Sequence, residues 1–255
     1  MTVKTFSDYK DRDYLTIIPS KGRNASIHKV QEMFPNAILY INEDELKDYE
    51  PFATLDIITH KETLGIGAVM NSIFRECTKN NIRYSAIFDD DKFWFRSLVG
   101  NRPRDLSTEQ IEQAISNGCQ VLEDMEAYLY LFSTASSIIK YSQADPVKVG
   151  FSLPQGALIH RNDKMGKYKL GMYYYEDFDF CMEYILKHRY MIIELRYLCI
   201  SKGELNEGGC NSFRTSKNEE GAQKWVKKKW GQYVNFVKNQ SGTIRPTSMV
   251  KRTQK

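Results

Sequence analysis

Ile82-Arg-Tyr-Ser-Ala-Ile-Phe88 runs without interruption into Asp89-Asp90-Asp91. The first seven residues are rich in β-branched and aromatic side chains and read as a buried strand. That strand delivers three carboxylates at its carboxyl end. Three such groups repel one another unless a cation or hydrogen bonds offset their charge. Along an extended chain Asp89 and Asp91 point to one side and Asp90 to the other. Carboxylate oxygens suit Mg²⁺ or Mn²⁺, with phosphate oxygens and water completing the shell. A solvated acidic loop or a helix cap is the alternative for an isolated triplet, and the preceding apolar strand favours the cation site.

The segments before this strand repeat its logic. Tyr14-Leu-Thr-Ile-Ile-Pro-Ser20 reads as a buried strand that should stop at Pro19, which has no N–H for a ladder. Ala37 to Ile41 and Leu55 to Thr59 are two more short apolar runs. Helical spacing appears between them, at Ala25 to Phe34 and at Gly67 to Lys79. Alternating strands and helices predict an α/β fold with a mostly parallel central sheet flanked by helices. Ligands of such sheets sit beyond the carboxyl ends of the strands. Ser20-Lys21-Gly22-Arg23 and the aspartate triplet both fall there. Lys21 and Arg23 are either contacts for a nucleotide's phosphates or base, or two surface cations.

Further along, Gly65-Ile-Gly-Ala-Val-Met-Asn71 is a glycine turn entering a helix, where backbone N–H groups can hold a diphosphate. Ser107-Thr-Glu-Gln110 has capping-box spacing and opens a helical stretch predicted to reach about Ser133. Val147 to Phe151 and Ala157 to His160 read as strands, Glu176 to His188 as a helix, and Met191 to Ile200 as a strand. Glu176 and Asp177 in that helix's first turn either cap it or supply a general base for a hydroxyl. His160 reads as a satisfied polar residue rather than a metal ligand. Trp94 and Tyr173 to Tyr175 either stack on sugar or base, or pack the core.

The 255 residues carry 42% apolar and 27% charged side chains, which excludes a disordered or collagen-like chain. No apolar stretch approaches the ~18 residues of a membrane helix, and the polar, mixed-charge start does not read as a signal peptide. Five scattered cysteines without a CxxC pair point to reduced thiols and a cytoplasmic location. The net charge of +4 conceals an asymmetry. From Arg214 to Lys255 there are eleven lysines and arginines against two glutamates. A mildly acidic body therefore carries a basic segment suited to a polyanion, or to solvent alone. The expected organisation is one domain over residues 1–213 and a basic segment over 214–255, packed on or closing over the active site.

As an ordered set these elements resemble the GT-A class of nucleotide-sugar glycosyltransferases, over roughly residues 14 to 180. The resemblance implies a GT-A-like single domain and a UDP-sugar donor. It places Pro19, Ser20 and Arg23 near the nucleotide, and Asn71 beside the donor. Asp89 and Asp91 match the DxD pair, with Asp91 the more direct ligand of Mn²⁺ or Mg²⁺. Glu176-Asp177 matches the family's "ED" element, in which the aspartate is the catalytic base of inverting members. Gly208-Gly-Cys-Asn-Ser-Phe-Arg-Thr215, with the basic run after it, is similar to small bacteriophage enzymes that glycosylate hydroxymethylated pyrimidines in DNA. Those are related to glycosyltransferases found alongside base-hydroxylating dioxygenases. This narrower resemblance implies DNA containing hydroxymethylated cytosine as the acceptor, and Arg214 is a candidate donor contact that adds positive charge near the leaving group. The chain departs from many GT-A enzymes in lacking a late histidine, since its last is His188. Other readings of the same residues are a polysaccharide or protein acceptor, nucleotidyl transfer, and a non-catalytic nucleic-acid-binding domain.

Overall fold

Four short apolar runs become parallel strands because both of their faces are covered. They are β2 (Tyr14–Ser20), β3 (Ile38–Asn42), β4 (Asp56–His60) and β5 (Tyr84–Phe88). The computed structural model describes residues 2–99, 102–134, 145–163, 166–201, 215–238 and 244–249. Among these, eleven strands form one sheet. Its first half, in the order β1 (Val3–Lys4), β4, β3, β2, β5, is parallel throughout. Beyond β5 it continues through β10 (Ala157–Arg161), β8 (Leu129–Ser133), β11 (Met191–Ser201), β6 (Lys92–Val99) and β7 (Arg102–Asp105), with β9 (Val147–Gly150) pairing to β11. Here β8 and β11 are parallel and the other pairings antiparallel.

The side-chain period of two sorts each strand between two cores. On one face Ile18, Leu39, Ile41, Phe88, Tyr130 and Phe132 pack with α1 (His28–Met33) and α4 (Thr108–Asp124). On the other, Ile17, Ile38, Tyr40, Ile87 and Leu131 pack with α3 (Ile66–Lys79) and α5 (Glu176–His188). The expected α/β architecture is thus the observed one. The four described cysteines are buried and free, and no helix among the described residues is long and apolar enough to cross a membrane.

Three local expectations change. β2 continues through Pro19 to Ser20, because its pairing with β5 ends at Ile17 and only β3 accompanies the last residues. The missing N–H therefore falls where one neighbour remains. The helix expected over Ala25 to Phe34 is shorter, a 3₁₀ turn at Asn24–Ser26 followed by α1. The helix opened by the Ser107 capping box, in which Ser107 and Gln110 bond reciprocally, ends at Asp124 rather than near Ser133. Glu126 turns the chain with a φ of 49°, and Leu129-Tyr-Leu-Phe-Ser133 becomes the central strand β8, apolar toward both cores. No glycine or proline punctuates that turn.

His160, on β10, has no exposed surface. It stacks on Phe74 at 3.9 Å, and its Nδ1 meets Asn162 Oδ1 at 3.1 Å. Nε2 has no hydrogen-bond partner among the described residues. Burial lowers the imidazole from 6.5 to about 4, so it is held neutral. The unfolded chain binds the proton more tightly, so the full contribution is present above pH 6.5 and is lost as pH falls toward 4. His160→Gln keeps a donor for Asn162 without titrating. Across that interval the wild type is expected to lose about 3 kcal/mol more than the variant. Melting curves against pH check this, and parallel curves would assign the acid sensitivity elsewhere.

Candidate active site

The carboxyl ends of the parallel strands bring Ser20, Arg23 and the aspartates together. Ser20, the last residue of β2, donates from Oγ to Asp90 Oδ2 at 2.5 Å and shares a 2.7 Å bond with the Tyr49 hydroxyl. The same hydroxyl accepts from the Arg23 amide at 3.1 Å, which fixes the turn after β2. Arg23's guanidinium ion-pairs with Asp90 and lies 3.9 Å from Asp91 Oδ2. Asp90 is therefore not turned away from the site, as alternation along a strand suggested. β5 has already ended, and the chain turns at Asp90 and Asp91 before β6 begins. Burial pushes the Asp90 carboxyl up, against the opposing effects of Arg23 and Ser20. Lys21 is exposed in the turn, where its charge acts on Glu45 and His60, and Pro19 is buried.

Asp89 and Asp91 have different surroundings. Asp89 lies directly over Gly156, where even an added Cβ would come within 1.8 Å of a carboxylate oxygen. Gly156 also has a φ of 69°, so a side chain there is excluded twice over. Its carbonyl accepts from the Asp89 amide at 2.8 Å. The Asp89 carboxylate accepts no hydrogen bond among the described residues, and burial raises it to about 6, with Asp91 and Asp90 adding to that and Lys92 and Arg23 opposing. Asp91 Oδ1 accepts from Ser201 Oγ at 2.9 Å. Three carboxylates thus meet two protein cations, leaving spare negative charge and oxygen lone pairs. That donor chemistry fits a hard divalent cation on Asp89 and Asp91, completed by phosphate and water. No cluster of three or more His, Cys, Asp or Glu able to hold a metal occurs among the described residues. His188 lies at the far end of α5, against Tyr128 and Tyr184.

The Gly65…Asn71 element packs against residues 168–173. Asn71 donates to the Tyr168 carbonyl at 2.9 Å and accepts from the Tyr168 amide at 2.8 Å. Its carboxamide pairs with this backbone as a strand would. A Cβ on Gly67 would press on Tyr168 and the Lys169 carbonyl, and one on Gly65 on the Tyr173 ring. The start of α3 is therefore a seat for residues 168–173, the segment leading into α5. Tyr175, with a φ of 61°, ends this segment, and Glu176 and Asp177 follow in the first turn. Glu176 is buried, while Asp177 is half-buried and accepts from the Tyr168 hydroxyl at 3.3 Å. Burial, with Asp177 next, holds the Tyr168 phenol well above its ordinary value, so it remains a donor.

Residues 151–156 join the two acidic clusters. Phe151 packs edge-on against Phe178 at 5.7 Å, and Gly156 lies under Asp89. Five residues of chain reach about 17 Å at most, which bounds the separation of these two anchor points. Arg214 and the Gly208-Gly209 segment lie outside the described residues. Tyr49, Lys92, Gly156, Tyr168 and Ser201 belong to this site and were not singled out in the sequence. Pro154-Gln-Gly156 is a turn signal between strands and could have marked Gly156. Lys92, directly after the triplet, was also visible, whereas nothing local marks Tyr49 or Ser201.

A parallel half-sheet covered by helices, with an acidic turn at its carboxyl edge and a second acidic cluster opening a later helix, is the layout of a GT-A glycosyltransferase. Residues 1–209 match the family described as TET-associated glycosyltransferase, and the chain belongs to that family. No curated protein matches it. Among solved structures, S. aureus TarS 1-349 in complex with UDP-GlcNAc is similar at 10% identity and a TM-score of 0.47, covering 75% of this chain and 59% of that one. A cytidylyltransferase from Leptospira borgpetersenii serovar Hardjo-bovis is similar at 7% identity and a TM-score of 0.43, covering 86% and 95%. Likeness at this level carries no argument about chemistry.

Proposed function

We propose that the protein transfers a sugar, with inversion, from a UDP-sugar to the hydroxymethyl group of a modified cytosine in DNA. The observation that carries this reading is the joining of Ser20, Arg23 and the aspartate triplet at the sheet's carboxyl edge, in a chain of this family. Asp89 and Asp91 would hold Mn²⁺ or Mg²⁺, which when bound supplies positive charge to the diphosphate leaving group. The turn from Pro19 to Arg23 lies where the nucleotide enters, with Lys21 exposed toward solvent. Asp177 takes the proton of the incoming hydroxyl as it attacks the anomeric carbon from the face opposite the diphosphate. Tyr168, donating to Asp177, holds that carboxylate in place, and Asn71 holds Tyr168. Glu176, buried in the same turn, supports the base from behind, and Arg214 adds positive charge near the departing phosphates. Incubation with hydroxymethylcytosine DNA, Mn²⁺ and a panel of UDP-sugars, followed by mass spectrometry of the digested nucleosides, tests the reading. A nucleoside heavier by one hexose or pentose is expected. Sugar found only on protein or glycan acceptors overturns the DNA assignment.

The DNA contact is proposed for α6 (Ser216–Trp230). Ala222, Val226 and Trp230 face Met172, Phe178 and Met182, so the helix is packed against α5. Lys217, Lys224 and Lys228 are exposed on the opposite stripe. Lys229 is committed instead to Asp179, at 2.6 Å, and to Glu183. Replacing the three exposed lysines with glutamine is expected to flatten the slope of log affinity against log salt by about 2–3, measured by fluorescence anisotropy. An unchanged slope would place the DNA on another surface.

A further inference from the structure

Lys92 is only 2% exposed, although it immediately follows the aspartate triplet. It opens β6 and is paired with Ser201 at the end of β11. Its Nζ donates to the Gln155 carbonyl and to Ser201 Oγ, each at 2.8 Å, and lies 3.8 Å from Asp91 Oδ1. Ser201 in turn donates to that same carboxylate oxygen. One buried ammonium therefore ties together β6, β11 and the turn beneath Asp89. Burying a charge so completely is unfavourable unless opposite charge and hydrogen bonds offset it, and here the opposite charge is that of the triplet.

We propose that Lys92 is the resident counter-ion of the aspartate triplet, positioning Asp91 through Ser201 and setting how tightly the site takes up a divalent cation. The inference rests on the reading of Asp89 and Asp91 as metal ligands. An ammonium 3.8 Å from Asp91 repels an incoming cation and satisfies part of the carboxylate's demand. Its removal leaves the pocket more negative and the metal more strongly held. Lys92 touches neither donor nor acceptor in this account, so it is a positioning residue.

The test is a Mn²⁺ titration of the full chain without donor, read by electron paramagnetic resonance of free Mn²⁺, for the wild type, Lys92→Met and Lys92→Arg. Lys92→Met is expected to bind Mn²⁺ about tenfold tighter, a shift of about 1.4 kcal/mol. Lys92→Arg, which keeps the charge, should stay within about threefold of wild type on the same scale. Mn²⁺ should also raise the melting temperature of Lys92→Met more than that of the wild type. Binding by a folded Lys92→Met no tighter than wild type overturns the proposal. Should Lys92→Met fold only with Mn²⁺, one cation has replaced the other as expected, whereas a chain that stays unfolded in millimolar Mn²⁺ also overturns it. A wild type that transfers sugar in EDTA and binds no Mn²⁺ removes the metal reading itself, and this inference with it. Wild-type binding with Lys92→Met unchanged removes the inference alone.

Discussion

Asp177→Asn is expected to lower kcat by about 10³-fold while leaving donor affinity within a few-fold of wild type. The amide keeps the shape of the carboxylate and can still accept from the Tyr168 hydroxyl, at 3.3 Å in the wild type. It cannot take a proton from the acceptor. The turn itself should persist, because Tyr175 is held from outside it, with its hydroxyl donating to Glu219 of α6 at 2.8 Å. Steady-state kinetics with varied donor separates the two possibilities. A variant that loses kcat and donor affinity equally would make Asp177 a structural residue.

The second large effect is expected at Asp91. Asp91→Asn should reduce metal-dependent transfer by about 10³-fold or more, through lost stabilisation of the leaving diphosphate. The fold should remain intact, since an asparagine oxygen can still accept from Ser201 Oγ, which the wild-type carboxylate does at 2.9 Å. Mn²⁺ binding and single-turnover transfer are the measurements, with circular dichroism as the control. Transfer near the wild-type rate would remove Asp91 from the metal site. The two variants also separate from each other: Asp91→Asn should weaken Mn²⁺ uptake, and Asp177→Asn should not.

The parallel half of the fold was legible because its strands are short apolar runs ending in polar turns, a pattern forced by burial on both faces. β8 was not, because Leu129-Tyr-Leu-Phe continues the apolar character of α4 and only a left-handed Glu126 separates them. The Ser20, Arg23 and aspartate-triplet grouping was legible because the sheet's topology places strand ends together. What each carboxylate does there was less so. Asp90's partners Arg23 and Ser20 lie 67 and 70 residues away in sequence, and Asp91's partner Ser201, on β11, lies 110 away. The glycines before α3 were read by analogy with phosphate-binding turns. A protein segment packs on their Cβ side, and nothing in Gly65-Ile-Gly67 announces that seat for Tyr168 and Tyr173.

Where α6 lies has a practical corollary for anyone shortening the gene. The family match ends at residue 209, yet Trp230 donates its indole N–H to the buried Asp179 at 2.9 Å and covers Phe178 and Met182. A recombinant fragment trimmed to the recognisable homology would leave that greasy ridge bare and strand an ionised aspartate without its lysine. It would be prone to clump on purification, so the smallest workable clone has to run past Trp230.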